Sequence, residues 1–306
     1  MTIEEYLQQE SALRAGVHFH DGVWWKNASP GSCQPLYPLQ EIPAGSARPR
    51  FSRSFLRYSH VVPAGDAAAG GGRTKTRLLI QGENLRNYSL QNIADRKRRQ
   101  AINKAVRCGF KTAIIRDLEK YRRDLLDIHI TNADRNRYGL SSQWYVEHEE
   151  EWWRNFSREF SLPGRDWFGA FHGDKLVAFL YNCLVDGTAV MLTAKSHREY
   201  LASDPNDLLW FDAFLHYQAM PECRRIDAGW AIPLPPTIDW RKRSLGFEPV
   251  ELPIFESRRP AMGFVRAALF CAKPLLDSPV GQKSKRGILF HARTLRKRLE
   301  NEGKGE

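Results

Sequence analysis

The stretch "SDPNDLLWFDAFLHYQAM", residues 203–220, followed by "CRRIDAGW", residues 223–230, decides how the second half of the chain folds. Ser203 or Asp204 suits an N-cap, and Pro205 suits the first helical position, where its missing N–H is no loss. Leu208, Leu209, Phe211, Ala213, Phe214 and Tyr217 then supply the apolar positions of a buried helix. "RRIDAGW" reads as a strand. Upstream, "DWFGAFHGDKLVAFLYNCLVDGTAVMLTAKS" holds two or three β-rich runs broken by the hairpin signals "HGDK" and "VDGT", which make an antiparallel meander. Downstream, "TIDWRKRSLGFEP" (237–249) sets Arg241, Lys242 and Arg243 in a charged helical turn before Leu245 and Phe247, which belong in the core, and "FEPVELPIF" gives a last strand. The second half is therefore an α/β (α+β) mixture around a mixed, mainly antiparallel sheet flanked by helices.

The first half reads differently. "TIEEYLQQESALRAG" has Thr2 as N-cap, acids in its first turn and Gly16 as a stop, the marks of a short helix. Short runs, "GVWWKN", "PLYPLQEI" and "SFLRYSHVV", look like strands between Pro, Gly and Ser clusters, and residues 63–75 form a Gly-rich surface loop without P-loop spacing. From Thr76 to Gly109 the pattern is helical, with Leu85, Leu90, Ile93, Ile102 and Val106 at the apolar positions. "KTAIIRD" is a strand, and Leu118, Tyr121, Leu125 and Ile128 then mark one helical stripe. A further helix follows with Trp152, Phe156 and Phe160 on its buried edge, and the tail "RGILFHARTLRKRLENEGKGE" is a basic helix.

Composition bounds the functions. The 306 residues are 42% hydrophobic, enough for a substantial core, and a net charge of +11 favours polyanionic partners such as nucleic acids and phosphorylated cofactors. Cys33, Cys108, Cys183, Cys223 and Cys271 lie far apart without C-x-x-C spacing, so neither a metal site nor a disulfide framework is indicated and a reducing cytoplasm fits. No apolar run reaches the roughly 18 residues of a membrane span, which points to a soluble protein with no membrane insertion.

The order "GDKLVAFLYNCLVDGTAVMLTAKS", "SDPNDLLWFDAFLHY", "CRRIDAGW" and "RKRSLGFEPVELP" resembles the acyltransferase domain of the GNAT superfamily, and within it the FemAB-like branch with the BioF2-like acetyltransferase domains. "RKRRQAINKAVRCGF" is similar to the basic Arg-x-x-Ile-x-Lys-Ala-x-x-x-Gly helix of FemAB-like proteins. The resemblance spans roughly residues 80–255. It implies a GNAT-like mixed sheet at 136–260, an N-terminal half (1–135) that is either a degenerate second copy or a substrate-binding lid, and a basic C-terminal extension at 261–306. It further implies transfer of an acyl group (acetyl, longer acyl or aminoacyl) to a small-molecule or peptide amine by direct attack. The donor is acyl-coenzyme A as co-substrate or an aminoacyl-tRNA, with no tightly bound cofactor. One departure stands out. The Arg/Gln-x-x-Gly-x-Gly/Ala loop that holds the coenzyme A pyrophosphate in GNAT enzymes is replaced by "HREYLASDPNDLL", which has no glycine.

Acyl transfer to an amine needs an oxyanion stabiliser and a group that handles a proton. Asp227, near the end of its strand, is a candidate base or amine anchor, or else an ion-pair partner of Arg224 or Arg225. His197 and Tyr200, ahead of the long helix, are candidate proton donors or ordinary loop residues. Asp204 and Asn206 at the helix start, with Arg241, Lys242 and Arg243, are the positions for a phosphorylated donor, and the cationic run is equally a solvated turn. Residues 95–123 carry eleven Lys/Arg against three Asp/Glu. Within them Arg96, Arg99, Asn103 and Arg107 recur at three- and four-residue spacing as a face for nucleic-acid phosphates. A non-catalytic RNA or polyanion binder with the same fold is the competing reading.

Overall fold

A computed structural model describes residues 1–13, 17–20, 23–29, 32–37, 39–43, 57–66, 73–133, 140–231 and 237–258. The chain opens with helix α1 (Ile3–Leu13), whose start is a reciprocal cap: the Glu5 amide donates to Thr2 Oγ1 at 3.1 Å, and the Thr2 amide donates to Glu5 Oε2 at 2.8 Å. Four short strands follow, β1 (Val17–His20), β2 (Val23–Ser29), β3 (Ser32–Pro35) and β4 (Arg57–Val61). "PLYPLQEI" is not the expected strand. Beyond Pro35 it bends, burying Leu36 and Tyr37 beside Tyr6 and Leu7 of α1, and touches the sheet at one bridge, Glu41 with Val61.

β5 (Arg73–Gln81) is the main correction to the sequence reading, which made residues 76–81 the start of a helix. Leu78, Leu79 and Ile80 are all buried, so the strand is apolar on both faces and lacks the alternation that marks a half-exposed strand. α2 (Gly82–Arg86) and α3 (Arg96–Arg107) follow, the latter capped by Asp95, whose carboxylate accepts from the Lys97 and Arg98 amides. Ile102 and Ala105 are the buried side of α3, while Val106 faces solvent at 55% exposure because it lies off that stripe.

β6 (Phe110–Ile114) leads to α4 (Arg122–Ala133), α5 (Ser142–Glu147) and α6 (Glu149–Phe160). The meander then runs as β7 (Arg165–His172), β8 (Lys175–Val185) and β9 (Thr188–Ser196), with turns at the "HGDK" and "VDGT" positions. α7 (Pro205–Gln218), β10 (Arg225–Trp230), α8 (Thr237–Ser244) and β11 (Glu248–Arg258) complete the described chain.

All eleven strands form one sheet in the order β1-β2-β3-β4-β11-β5-β10-β9-β8-β7-β6. Neighbours are antiparallel except for β3 with β4 and β9 with β10. The sheet is thus mixed and mainly antiparallel, as expected. The division at residues 135 and 136 does not follow it: β5 lies between β11 and β10, and β6 pairs with β7, so strands of the first half are built into the sheet of the second. The extension at 261–306, with the expected basic helix, lies outside the described residues.

The sheet is covered on both faces. α3 and α7 pack on one, where Phe214 meets Tyr88 and Phe247 at ring distances of 5.6 and 5.3 Å and Leu245 is fully buried. α4, α5 and α6 cover the other through Leu125, Ile128, Trp152 and Trp153 against Trp167 and Phe179. Each such fully buried side chain contributes about 1.5–3 kcal/mol of transfer free energy. Leu245 and Phe247 are in the core as the sequence required, and Trp152, Trp153 and Tyr217 are core residues too.

Candidate functional site

β9 and β10 run parallel and pair at Thr188↔Arg225, Ala189↔Ile226 and Val190↔Asp227, and there the pairing ends. β9 continues to Ser196 and β10 to Trp230, so residues 191–196 have no strand neighbour on the β10 side among the described residues. β10 stays with β5, but its register slips between Asp227 and Trp230. The two central strands therefore splay. A bulge at Leu192, between the Tyr181↔Thr193 and Asn182↔Met191 pairs with β8, bends β9 within the open stretch. An open strand edge offers N–H and C=O groups to an extended ligand, and the wedge lies between α4 on one face and α7 on the other.

Asp227 closes the apex of this wedge. It is 1% exposed and forks to Arg77 of β5, with Nε to Oδ1 at 2.8 Å and Nη2 to Oδ2 at 2.5 Å. Oδ1 also accepts the Gly229 amide at 2.8 Å. The partner is thus neither Arg224 nor Arg225: Arg224 turns to Asp186, and Arg225 Nε donates to Thr188 Oγ1. A carboxylate so enclosed does not project into a cleft as an open base. Arg77 also lies 4.6 Å from the ring of Trp230, fixing the β10 wall of the splay.

The start of α7 carries acid where an anion would dock. Asp207, in the first turn and fully buried, accepts Arg241 through Nε at 2.9 Å and Nη2 at 2.5 Å, and also pairs with Arg98. Asp204 caps the helix in the left-handed region at φ 57°, a conformation that favours glycine. Burial, followed by the charge of Asp207, pushes its carboxyl above the usual range. Lys104 of α3 sits 3.8 Å from it. Asn206 Nδ2 donates to Ser196 Oγ at 2.8 Å and ties α7 to the end of β9. Asp204 and Asn206 thus fasten the helix start to its surroundings, and Arg241 serves Asp207.

Lys242 lies closer to the wedge. Its Nζ donates to the Ala228 carbonyl of β10 at 2.7 Å, and burial pulls its ammonium below the usual lysine range against the opposing charges of Asp239 and Asp227. Arg243 is exposed. The three cations lie in α8, a two-turn helix rather than a loop, so they point in different directions and do not form one clamp.

His197 and Tyr200 stand at the far end of β9. His197 Nδ1 accepts the Glu199 amide at 3.3 Å, capping a 3-10 turn, and its ring meets that of Tyr200 at 5.6 Å, with Phe110 and His172 beside Tyr200. His197 is seven residues along the chain from Val190, roughly 23 Å at strand rise, so the structure does not gather Asp227, His197 and Tyr200 into one constellation. On α3, Arg96 and Arg107 are exposed, while Arg99 turns inward to the Ile93 and Ala94 carbonyls. The exposed cations of α3 are instead Arg96, Lys97, Lys104 and Arg107.

Sequence reasoning passed over Lys195. It is half-buried on the open stretch of β9, opposite Phe179, and no hydrogen bond or ion pair holds it among the described residues. Burial pulls its ammonium down to about 8. The signal was present: a lone cation in the otherwise apolar run "AVMLTAKS".

No known family profile and no curated protein matches the chain by sequence. Solved structures do match. FemX superposes with a TM-score of 0.55 at 8% identity, over 86% of this chain and 93% of its own. The C-terminal domain of an Agrobacterium fabrum protein assigned as a lysylphosphatidylglycerol synthetase gives 0.52 at 10% identity, over 87% and 96%. L-PGS from Bacillus licheniformis gives 0.51 at 11% identity, over 85% and 87%. The chain therefore shares the fold of FemX and of these synthetase domains. Among the described residues, no helix is long and apolar enough to cross a membrane.

Proposed function

We propose that the protein is an acyltransferase that works in the β9–β10 splay, taking an aminoacyl group from a charged tRNA and passing it to an amine by direct attack. The observation that carries the choice of donor is the start of α7. A pyrophosphate binds a helix N-terminus through unpaired amides and the positive end of the dipole. Here Asp207 and Asp204 put carboxylates at that end, and the nearest arginines, Arg98 and Arg241, are engaged with Asp207. A coenzyme A pyrophosphate would meet two acids before any open amide.

The outer surface favours a polyanion. Arg96, Lys97 and Arg107 are exposed on α3, where phosphates of a nucleic-acid donor could be neutralised with release of counterions. The open edge of β9 would take the donor's extended 3′ end. Lys242, held against the Ala228 carbonyl, is placed to donate to an oxygen entering the wedge. The name of one structural neighbour refers to lysylphosphatidylglycerol, a product that carries an aminoacyl group, which agrees with this class of transfer.

A second reading has one specific observation in its favour. The apex carboxylate is closed by Arg77, which suits a non-catalytic RNA or polyanion binder as well as an enzyme. One set of experiments separates the readings. Acetyl-coenzyme A at 100 times its dissociation constant would stabilise the fold by about 2.7 kcal/mol, readily seen in thermal unfolding. The expected result is no shift with coenzyme A or acetyl-coenzyme A, salt-sensitive tRNA binding, and amine-dependent loss of the amino acid from charged tRNA. A coenzyme A shift with acetyl transfer would overturn the choice of donor. Binding of tRNA without transfer to any amine would leave the binder.

A further inference from the structure

Lys195 is next to last in β9 and five residues past the final pair with β10, on the stretch whose β10-side edge is open. Its Cα pairs with that of Phe179, and paired positions share a face, so the side chain lies on the α4 side of the wedge. Other buried or half-buried cations around the splay have acceptors: Arg77 has Asp227, Arg98 and Arg241 have Asp207, and Lys242 has the Ala228 carbonyl. Lys195 has none among the described residues.

The group that faces it is His129 of α4, 4% exposed and ringed by Tyr145, Trp152, Phe156 and Phe179. His129 Nδ1 meets the Leu125 carbonyl at 2.8 Å, so it carries the proton there and Nε2 is left as a lone-pair acceptor. Burial, and then the charge of Lys195, push this imidazole down to about 3, so it stays neutral and supplies no counter-charge. The other nearby acids are turned away or engaged. Asp227 is held by Arg77, Asp207 lies on the α7 face with Arg98 and Arg241, and Glu159 of α6 accepts the Tyr181 hydroxyl. A half-buried amine without a counter-ion gives up its proton readily, and here burial alone brings it to about 8.

We propose that Lys195 is the proton acceptor of the transfer, receiving a proton from the acceptor ammonium within the splay and returning it to the donor's leaving oxygen. This rests on the acyl-transfer reading above. One proton moves from the acceptor ammonium to Nζ, and the freed amine attacks the acyl carbonyl carbon to form the C–N bond. The C–O bond to the donor ribose then breaks, and its oxygen takes the proton from Lys195. A second N–H proton of the former ammonium passes to water as the amide forms. Each turnover thus yields an amide, a free ribose hydroxyl and one released proton, with Lys195 neutral again.

Two measurements test this on the full chain. The first is competitive acetylation with acetic anhydride across pH, read by peptide mass spectrometry. Lys195 is expected to titrate roughly two units below the ordinary lysine value of about 10.4. A Lys195 that titrates with the surface lysines, or is never labelled, overturns the proposal. The second compares Lys195→Met and Lys195→Arg, after thermal unfolding shows both folded, in aminoacyl transfer from charged tRNA. Both are expected to lose 10²- to 10⁴-fold in kcat with tRNA affinity within about twofold of native, and added methylamine to restore part of the Lys195→Met activity. If Lys195→Arg retains activity, the residue holds charge rather than moving protons and the proposal fails alone. If the native protein transfers from no charged tRNA, the acyl-transfer reading fails and this role falls with it.

Discussion

Replacing Asp227 by asparagine separates a structural carboxylate from a catalytic one. The substitution keeps size and shape, and the amide oxygen can still accept from the Gly229 amide, so what is lost is the charge opposite Arg77. Arg77 is 2% exposed and already has one buried nitrogen, Nη1, without a partner, so no second acceptor stands ready for the guanidinium. Removing one partner of a buried pair costs about 3–5 kcal/mol, because the remaining ion is left desolvated. At about 2 °C or more per kcal/mol for a domain of this size class, the melting temperature should fall by about 6–10 °C. Equilibrium urea unfolding with an unchanged m-value is the assay. The double variant Arg77→Met/Asp227→Leu leaves no buried ion and should recover most of the loss. A loss below about 1 kcal/mol for Asp227→Asn would refute the ion-pair reasoning. So would a folded Asp227→Asn protein, assayed well below its melting temperature, that had lost transfer activity altogether, since a group enclosed by Arg77 should then be reacting.

Three further outcomes follow from other parts of the molecule. Gly246, at φ 104° between α8 and β11, would set an alanine Cβ 3.3 Å from the Tyr88 ring, so Gly246→Ala should lose about 1–3 kcal/mol in thermal unfolding. His129, held down to about 3 in the fold against an ordinary value near 6.5, binds its proton in the unfolded chain first. Its stabilising contribution is therefore present above pH 6.5 and is lost as pH falls towards 3, about 2 kcal/mol between pH 7 and pH 5, and His129→Phe should flatten that part of the urea-derived stability profile. Arg96→Ala/Arg107→Ala removes two exposed α3 cations and should lower the slope of log affinity against log salt for tRNA by about 1.5, with no change in melting temperature.

What the sequence disclosed, and what it withheld, follows the range of the interactions. α7, β10 and the approach to β11 were legible because their signals are local: Pro205 at the first helical position, the apolar face of α7, and Leu245 and Phe247 after a charged segment. β5 was misread because a strand buried on both faces carries no alternation, and "TRLLIQ" continues smoothly into the helical residues that follow it. The site was harder. Asp227 showed itself as a strand-end acid, but its partner Arg77 lies 150 residues away, and nothing in "RRIDAGW" announces a pairing that arises when β5 inserts beside β10. Arg241 looked like a phosphate ligand until the fold brought it to Asp207, which the sequence presented as one more first-turn acid. Both misreadings have the same physical cause: in a protein of net charge +11 a carboxylate that becomes buried finds an arginine, so an acid seen in isolation is a poor sign of chemistry. The converse also holds. A half-buried cation that finds no carboxylate among the described residues is the rarer event, and Lys195 on the open edge of β9 is that case.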